Sequence, residues 1–356
     1  MPIFVNSNGK KYITDIFVNV NGQKRSIVSA WVDKNGVPTK IFGKTTSLNM
    51  FILYDYNDKA WGSHDGITWV EIVELGGKLS GYYPYYMANI GDRIIIFSPN
   101  KKQVYTYDGK QMKDKIVYGN ITVEDILSVA YYEGTIYAIG TNSSASSNNK
   151  GDMWASFSIK AKVSVSSSDG ITFLNYTYGS SYDTVKIDLI TTSDGESLSI
   201  YPPSTSSGIY RAVYGKGKLI VFGNKNLSPY ICHLANCYTY NNSSRQWSST
   251  TISNISGKNI RIIDVIYAKN RFIAIGSKYI SSALKPAVYY SEDGITWLEA
   301  TLPSFSSSVT VVNGILFGND KFLIYANNVI CYSEDGITWV KSTSPSSGGI
   351  KCGIYF

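Results

Sequence analysis

The side chains in this sequence that could do hydrolytic chemistry are carboxylates and arginines, and neither type is arranged as a hydrolase arranges it. Glycoside hydrolysis needs two carboxyl groups at a defined separation, one acting as acid and the other as base or nucleophile. Glu71, Glu74, Glu124, Asp125, Asp183, Asp188, Asp194, Glu196 and Asp264 supply the raw material, and none stands in a paired context. The arginines are Arg25, Arg93, Arg211, Arg245, Arg261 and Arg271. Arg93 and Arg271 follow short turns, whereas Arg211 and Arg261 open strands. His64 and His233 are the only histidines, and Cys232, Cys237, Cys331 and Cys352 form no Cys-x-x-Cys pair. No metal site and no cofactor is expected from that set. Cys232 and Cys237 could meet across a loop, but free thiols are expected without a secretion signal. Neither a Gly-rich phosphate loop nor a nucleophile elbow occurs. The chain reads as a non-enzyme.

Binding chemistry is better represented. The chain holds 29 Tyr, and Tyr offers a flat apolar ring with a hydroxyl, suited to stacking on sugars and to adaptable protein contacts. Segments 76–83, 141–152, 176–208, 224–230 and 277–286 read as loops, and Tyr82, Tyr83, Tyr178, Tyr182, Tyr201, Tyr230 and Tyr279 fall in four of them. Recognition is commonly carried on loops above a rigid scaffold. These seven tyrosines are the candidate ligand contacts.

The scaffold follows from internal repetition. Four segments align closely: Ser63-His64-Asp65-Gly66-Ile67-Thr68-Trp69, Ser168-Asp169-Gly170-Ile171-Thr172-Phe173, Ser291-Glu292-Asp293-Gly294-Ile295-Thr296-Trp297 and Ser333-Glu334-Asp335-Gly336-Ile337-Thr338-Trp339. Weaker copies sit at Tyr107-Asp108-Gly109-Lys110 and at 241–247, which ends in Trp247. Asp-Gly supplies the positive φ of a tight antiparallel turn. The Asp carboxylate and the Ser or Thr hydroxyls can cap N–H groups within it. The terminal Trp or Phe would fold back as a plug between neighbouring sheets.

Before each copy run short apolar strands separated by Gly- or Asn-containing turns, as in Ile262–Tyr267, Ala268-Lys269-Asn270 and Arg271–Gly276. Each unit is therefore expected to be a four-stranded antiparallel sheet. The last residues, Gly349–Phe356, read as a first strand, and the unit starting near Asn49 lacks one, so the C-terminal strand should complete the N-terminal sheet and remove an exposed edge. This counting gives an all-β, six-bladed β-propeller, with 176–208 long enough for a seventh blade. Aromatics at 14% and charged residues at only 17% agree with strands in place of helices.

The Ser-x-Asp-Gly-x-Thr-Trp units resemble the Asp-box, or BNR, motif of sialidase-type propellers and of phage and bacterial propeller proteins. The resemblance covers about residues 48–356 and implies a fold more than an activity, since such boxes lie away from binding sites. A sialidase would need three converging arginines, a Tyr–Glu nucleophile pair and an Asp acid. The Arg-Ile-Pro signature is missing here, and Arg211 and Arg261 alone do not make the arginine triad.

Residues 1–46 differ from the rest. Ile3–Lys11 is echoed by Ile16–Lys24, and Asn8-Gly9, Asn21-Gly22 and Asn35-Gly36 punctuate alternating runs, which predicts a small β-meander. Lys10, Lys11, Lys24, Arg25, Lys34, Lys40 and Lys44 face only Asp15 and Asp33, so most of the net charge of +7 sits in this segment. Residues 47–356 are left close to neutral, so no nucleic-acid binding is expected. The Phe17–Gly22 and Ser29–Val37 stretches are similar to short modules of phage tail, baseplate and fibre proteins. That resemblance implies an attachment module contacting other virion or tail proteins.

No apolar run is long enough for a membrane span and no signal-peptide core is visible, so synthesis in a host cytoplasm and residence in a virion are expected, without membrane insertion. The combined expectation is a phage or tail-like particle component that binds a bacterial surface glycan or protein through the propeller loops. The rival expectations are a purely structural virion decoration or tail protein and, further off, a sialidase-like or other glycoside hydrolase.

Overall fold

The computed structural model describes residues 17–20, 23–26, 29–34, 37–43, 48–77, 86–98, 103–116, 126–132, 134–140, 144–148, 150–151, 153–157, 163–167, 170–178, 185–191, 197–200, 209–224, 235–241, 246–251, 260–281 and 283–356. Two compact units result, Met1–Leu48 and Asn49–Phe356. Within the first, Phe17–Val20 pairs with Gln23–Ser26, and Ser29–Lys34 pairs with Val37–Gly43. The described residues of this unit therefore form two two-stranded antiparallel pairs.

The second unit contains seven four-stranded antiparallel sheets among the described residues. We label them in chain order. Sheet A comprises strands within 51–71 plus the C-terminal strand Ile350–Tyr355. Sheets B to G span 86–116, 126–157, 163–200, 209–251, 260–299 and 314–342. In sheet A, Ile350–Tyr355 lies at the position of a first strand, antiparallel to Phe51–Asp55. Its neighbours Met50 and Phe356 exchange backbone hydrogen bonds at 2.8 and 2.9 Å.

Sheet D accounts for the difference from six. The 176–208 segment, read as a loop, carries the strands Val185–Thr191 and Ser197–Ile200, which join Val163–Ser167 and Gly170–Tyr178 in one sheet. This is the segment long enough for a seventh blade, and its signal is weak because no Ser-x-Asp-Gly copy follows the last two strands. Two other segments read as loops are also ordered. Residues 141–152 contain the strand Ser144–Ser147, and 277–286 is the tip of a hairpin joining Arg271–Ile280 to Ala283–Ser291.

First strands of successive sheets lie side by side: Tyr86–Asn89, Ile126–Tyr132, Val163–Ser167, Ile209–Gly215, Ile260–Ala268, Gly314–Gly318 and then Ile350–Tyr355, which lies against Tyr86–Asn89. In sheets A, B, E, F and G the second strands are buried on both faces, which is why they read as continuous apolar runs with no polar alternation. Phe272, Ile273, Ala274 and Ile275 in sheet F are all fully buried. Their period of two divides them between neighbours. Phe272 and Ala274 pack with Ile220 and Phe222 of sheet E, while Ile273 and Ile275 pack with Phe322 and Ile324 of sheet G. Cys331 and Cys352 are buried thiols outside any disulfide, and burial pushes the Cys331 thiol up to about 12, which keeps it protonated and inert. Cys232 lies outside the described residues, as does the side chain of Cys237.

Candidate functional site

Antiparallel strand direction puts the first-to-second and third-to-fourth turns of every sheet at one end and the second-to-third turns, with the connections between sheets, at the other. The two ends are built for different work.

At the first end lie the Ser-x-Asp-Gly turns, the boxes of the sequence repeat. In sheet G, the Ser333 hydroxyl accepts the Gly336 N–H at 2.8 Å and donates to Asp335 Oδ1 at 2.9 Å, and that oxygen also accepts the N–H groups of Ile337 and Thr338. Ser291, Asp293 and Gly294 repeat the arrangement in sheet F, as do Ser63, Asp65 and Gly66 in sheet A. The glycines stand at φ of 74°, 74° and 75°, the left-handed region where a Cβ is strained. Trp297 and Trp339 are buried, and the Trp297 ring meets Phe222 of sheet E edge-on at 5.4 Å, which makes it a plug between sheets. Trp69 packs at the seam between sheets G and A, with Leu323 and Phe51.

The copy at 168–173 departs from this placement. It was expected between third and fourth strands, but Ser167 pairs with Gly170 at the turn joining the first and second strands of sheet D. Ser168 and Asp169 lie outside the described residues, as do the side chains of Phe173 and Tyr178. The third-to-fourth turn of sheet C carries instead a copy that sequence comparison missed. Ser147 Oγ accepts the Gly151 N–H at 3.0 Å, Gly151 has φ of 84°, and Trp154 Nε1 donates to Gly151 O at 3.2 Å. Trp339 Nε1 makes the matching bond to Gly336 O at 3.2 Å. An extra residue between Ser and Gly, and Lys150 in place of Asp, hid this turn from the motif; a search for spaced Ser, Gly and Trp would have found it.

Burial alone would raise the box carboxyls; the N–H groups of Ile67 and Thr68, with the Ser63 hydroxyl, outweigh it and hold Asp65 at about 2. Asp293 is held at about 2 in the same way, by Ile295, Thr296 and Ser291. A depressed folded-state value contributes stability that is present above the ordinary carboxylate value of 3.8 and is lost as pH falls through it toward 2. Asp293→Asn keeps an acceptor and loses the titration, so its Tm should fall less steeply than that of the parent between about pH 4 and pH 2. Parallel curves in a thermal-melt series would show that the box carboxylates do not govern acid stability.

With its N–H groups taken by the Asp, each box turns carbonyls toward the preceding sheet. Lys216, Lys269 and Asn319 hold equivalent places in the first-to-second turns of sheets E, F and G, at φ of 50°, 50° and 44°. Lys216 Nζ donates to Glu292 O at 2.7 Å, Lys269 Nζ to Glu334 O at 2.9 Å and Asn319 Nδ2 to His64 O at 2.7 Å. Arg271 adds bonds to Asp335 O and Glu292. Between sheets B and C the charges are exchanged, and Lys150 of the turn in sheet C bonds Asp92 of the turn in sheet B. This end is occupied by latches between sheets.

The opposite end presents aromatic and polar groups to solvent. In the second-to-third turn of sheet A, buried Asp55 accepts the N–H groups of Asn57 and Lys59 at 2.9 Å and Trp61 Nε1 at 3.1 Å. That turn holds Tyr56 outward at 52% exposure, with the Lys351 ammonium 5.6 Å from its ring. Lys351 is itself paired with Asp58 at 2.7 Å. Tyr279 stands near the tip of the sheet F hairpin, 37% exposed, beside exposed Ile280. A polar cleft of about 500 Å³ opens between Ser306, Asn328, Lys341, Ser342, Thr343 and Ser344. Of the seven tyrosines singled out in the sequence, Tyr279 is the one with a described side chain. Tyr82, Tyr83, Tyr182, Tyr201 and Tyr230 lie outside the described residues. Tyr56 was not singled out in the sequence. No group of three or more His, Cys, Asp or Glu side chains converges as a metal site among the described residues.

The DUF6242 β-propeller domain family matches residues 64–313. No curated protein matches the chain. Among solved structures, the chain is similar to the GH74 enzyme of Niastella koreensis, at 15% identity and a TM-score of 0.55 over 82% of this chain and 52% of that one. A catalytically inactive virginiamycin B lyase from Staphylococcus aureus, solved with quinupristin, gives 10% identity and a TM-score of 0.51 over 77% and 88%. YCF48 bound to D1 peptide gives 11% identity and a TM-score of 0.50 over 74% and 82%. Enzymes and a peptide-bound protein both occur among these structures, so the likeness bears on the β-propeller fold alone.

Proposed function

The chain belongs to the DUF6242 β-propeller domain family, and from that premise we propose that it is a non-enzymatic recognition propeller, binding a bacterial surface glycan or protein and carried on a phage-type particle by its N-terminal unit. Its seven sheets are read as blades of one ring, with the C-terminal strand completing sheet A. The observation that carries the proposal is the division of labour between the two ends. One end spends its polar groups on latches between sheets, while the other presents Tyr56, Tyr279 and a polar cleft to solvent. Exposed tyrosines held by rigid turns favour sugar stacking and protein contact at low entropic cost. The carriage on a particle rests on the resemblance of the Phe17–Gly22 and Ser29–Val37 stretches to phage modules, and on the separate compact unit they form.

Fluorescently labelled full-length protein should bind host cells saturably, and stripping the surface polysaccharide should abolish the binding. Tyr56→Ala combined with Tyr279→Ala should weaken it about tenfold, the loss expected for two aromatic contacts of modest strength. Absence of saturable binding to any cell tested, with the protein still incorporated into particles, would leave a purely structural role. Release of reducing sugar would turn the reading to a hydrolase.

A further inference from the structure

The innermost strands of sheets E and F carry the same irregularity. Each has a bulge at the end remote from the Asp-box turns, between Ile209 and Arg211 in one and between Ile262 and Asp264 in the other. Arg211 and Asp264 thereby occupy equivalent positions, opposite Phe222 and Ile275 of their second strands. Bulges re-aim side chains, and here they bring Arg211 Nε to 3.6 Å from Asp264 Oδ1. That oxygen also accepts the Val265 N–H at 2.9 Å, whereas Asp264 Oδ2 receives no hydrogen bond among the described residues.

Burial raises the Asp264 carboxyl even with the guanidinium beside it, yet its side chain keeps 38% of its surface and that of Arg211 keeps 45%. Both residues stand on first strands, which lie side by side from sheet to sheet with Ile350–Tyr355 against Tyr86–Asn89, and side chains that stay exposed there face the space those strands surround. At the equivalent position of sheet G stands Gly314, where a Cβ would lie 2.1 Å from the buried Tyr325 hydroxyl oxygen. The phenol of Tyr325 fills the place of a side chain there.

We propose that Arg211 and Asp264 form a subsite for the adjacent hydroxyls of a neutral pyranose entering the mouth of this channel. The subsite rests on the glycan-binding reading above and names the part of the site that would grip the sugar. A ligand carboxylate would meet the charge of Asp264, and a ligand amine would meet that of Arg211. Neighbouring sugar hydroxyls satisfy both: one donates to Asp264 Oδ2, and the other accepts from the guanidinium. Hydrogen bonds to an ionised partner in a confined site are the strong kind, so losing the carboxylate should cost about tenfold or more in affinity.

The test is saturation-transfer NMR on the full chain with methyl α-D-mannopyranoside, methyl α-D-glucopyranoside and methyl β-D-galactopyranoside. Asp264→Asn and Arg211→Gln serve as variants, each checked for an unchanged melting curve. Transfer to at least one glycoside is expected, reduced about tenfold or more in both variants. If a glycoside binds the variants as well as the parent, the subsite is overturned while glycan binding stands. If no glycoside binds but cells still do, in a polysaccharide-dependent way, the subsite is again overturned alone. Failure of both glycoside and cell binding removes the two together.

Discussion

Replacing Gly276 by Ala should destabilise the protein by about 4 kcal/mol, at the upper end of what a single methyl group does. The bulge at Ile262–Asp264 presses the chain of the first strand toward Gly276, so that a Cβ there would sit 1.8 Å from Arg261 O and 2.9 Å from its carbonyl carbon. Both atoms are backbone, and no rotamer change can clear them. The strand pair must part over the stretch where Ile262 and Ile275 are buried in the seams on either side of sheet F. Gly217→Ala is the control. Its φ of 69° strains any side chain, but nothing lies within 4 Å of the added Cβ, so only the backbone cost of about 1 kcal/mol should register. Urea unfolding followed by tryptophan fluorescence measures both variants. Equal losses would mean that the bulge yields and the close approach is not what constrains Gly276.

Deletion of residues 350–356 should abolish cooperative folding of the Asn49–Phe356 unit. Residues 350–356 supply the first strand of sheet A, paired with Phe51–Asp55, and place Ile350, Ile354 and Phe356 in buried positions. Burial of three such side chains contributes about 5–9 kcal/mol, comparable with the whole stability of a typical domain, about 5–15 kcal/mol. The deletion also exposes the Phe51–Asp55 edge and removes Tyr355 O, which accepts the Asn89 amide of sheet B at 2.9 Å. An unpaired edge strand led by Phe51, Ile52 and Leu53 is a template for aggregation. Size-exclusion chromatography and a urea transition are the readouts. A monomeric truncated protein with a sharp transition would show that sheet A stands without its last strand.

Much of this architecture was legible because it repeats. The Asp-Gly turns fix the third-to-fourth hairpins of sheets A, F and G, since the carboxylate, hydroxyl and positive φ they need are written in adjacent residues. Pairing of the C-terminal strand with Phe51–Asp55 followed from a unit lacking its first strand. What escaped reading lacked a local signature. Sheet D has two strands with no box after them, and the Ser147–Trp154 turn is spaced one residue too long for the motif. Strand Arg271–Ile280 outruns its apolar core, so its polar tip reads as a loop although backbone pairing continues through it. The Arg211–Asp264 contact joins residues far apart in sequence, and only the equal registers of two bulges bring them together. Tyr56 was hidden for a different reason: nothing in Asp55–Lys59 distinguishes a tyrosine held outward from one folded inward until the carboxylate of Asp55 is seen to organise the turn.

The latches between sheets have a direction, and that direction bears on how such a chain can change over generations. From sheet E to F, from F to G and from G to A, the turn of one sheet holds the donor and the box of the next holds the carbonyls. The repeats of sheets F and G therefore each encode both halves of a universal joint, a socket for the unit before it and a plug for the unit after. A gene segment carrying one such repeat can be duplicated or lost without redesigning the contacts at its borders. The exchanged pair of Asp92 and Lys150 is a joint of another gauge. A repeat moved across it would arrive with two lysines facing each other, so the units on either side of that seam are constrained to evolve as a matched pair.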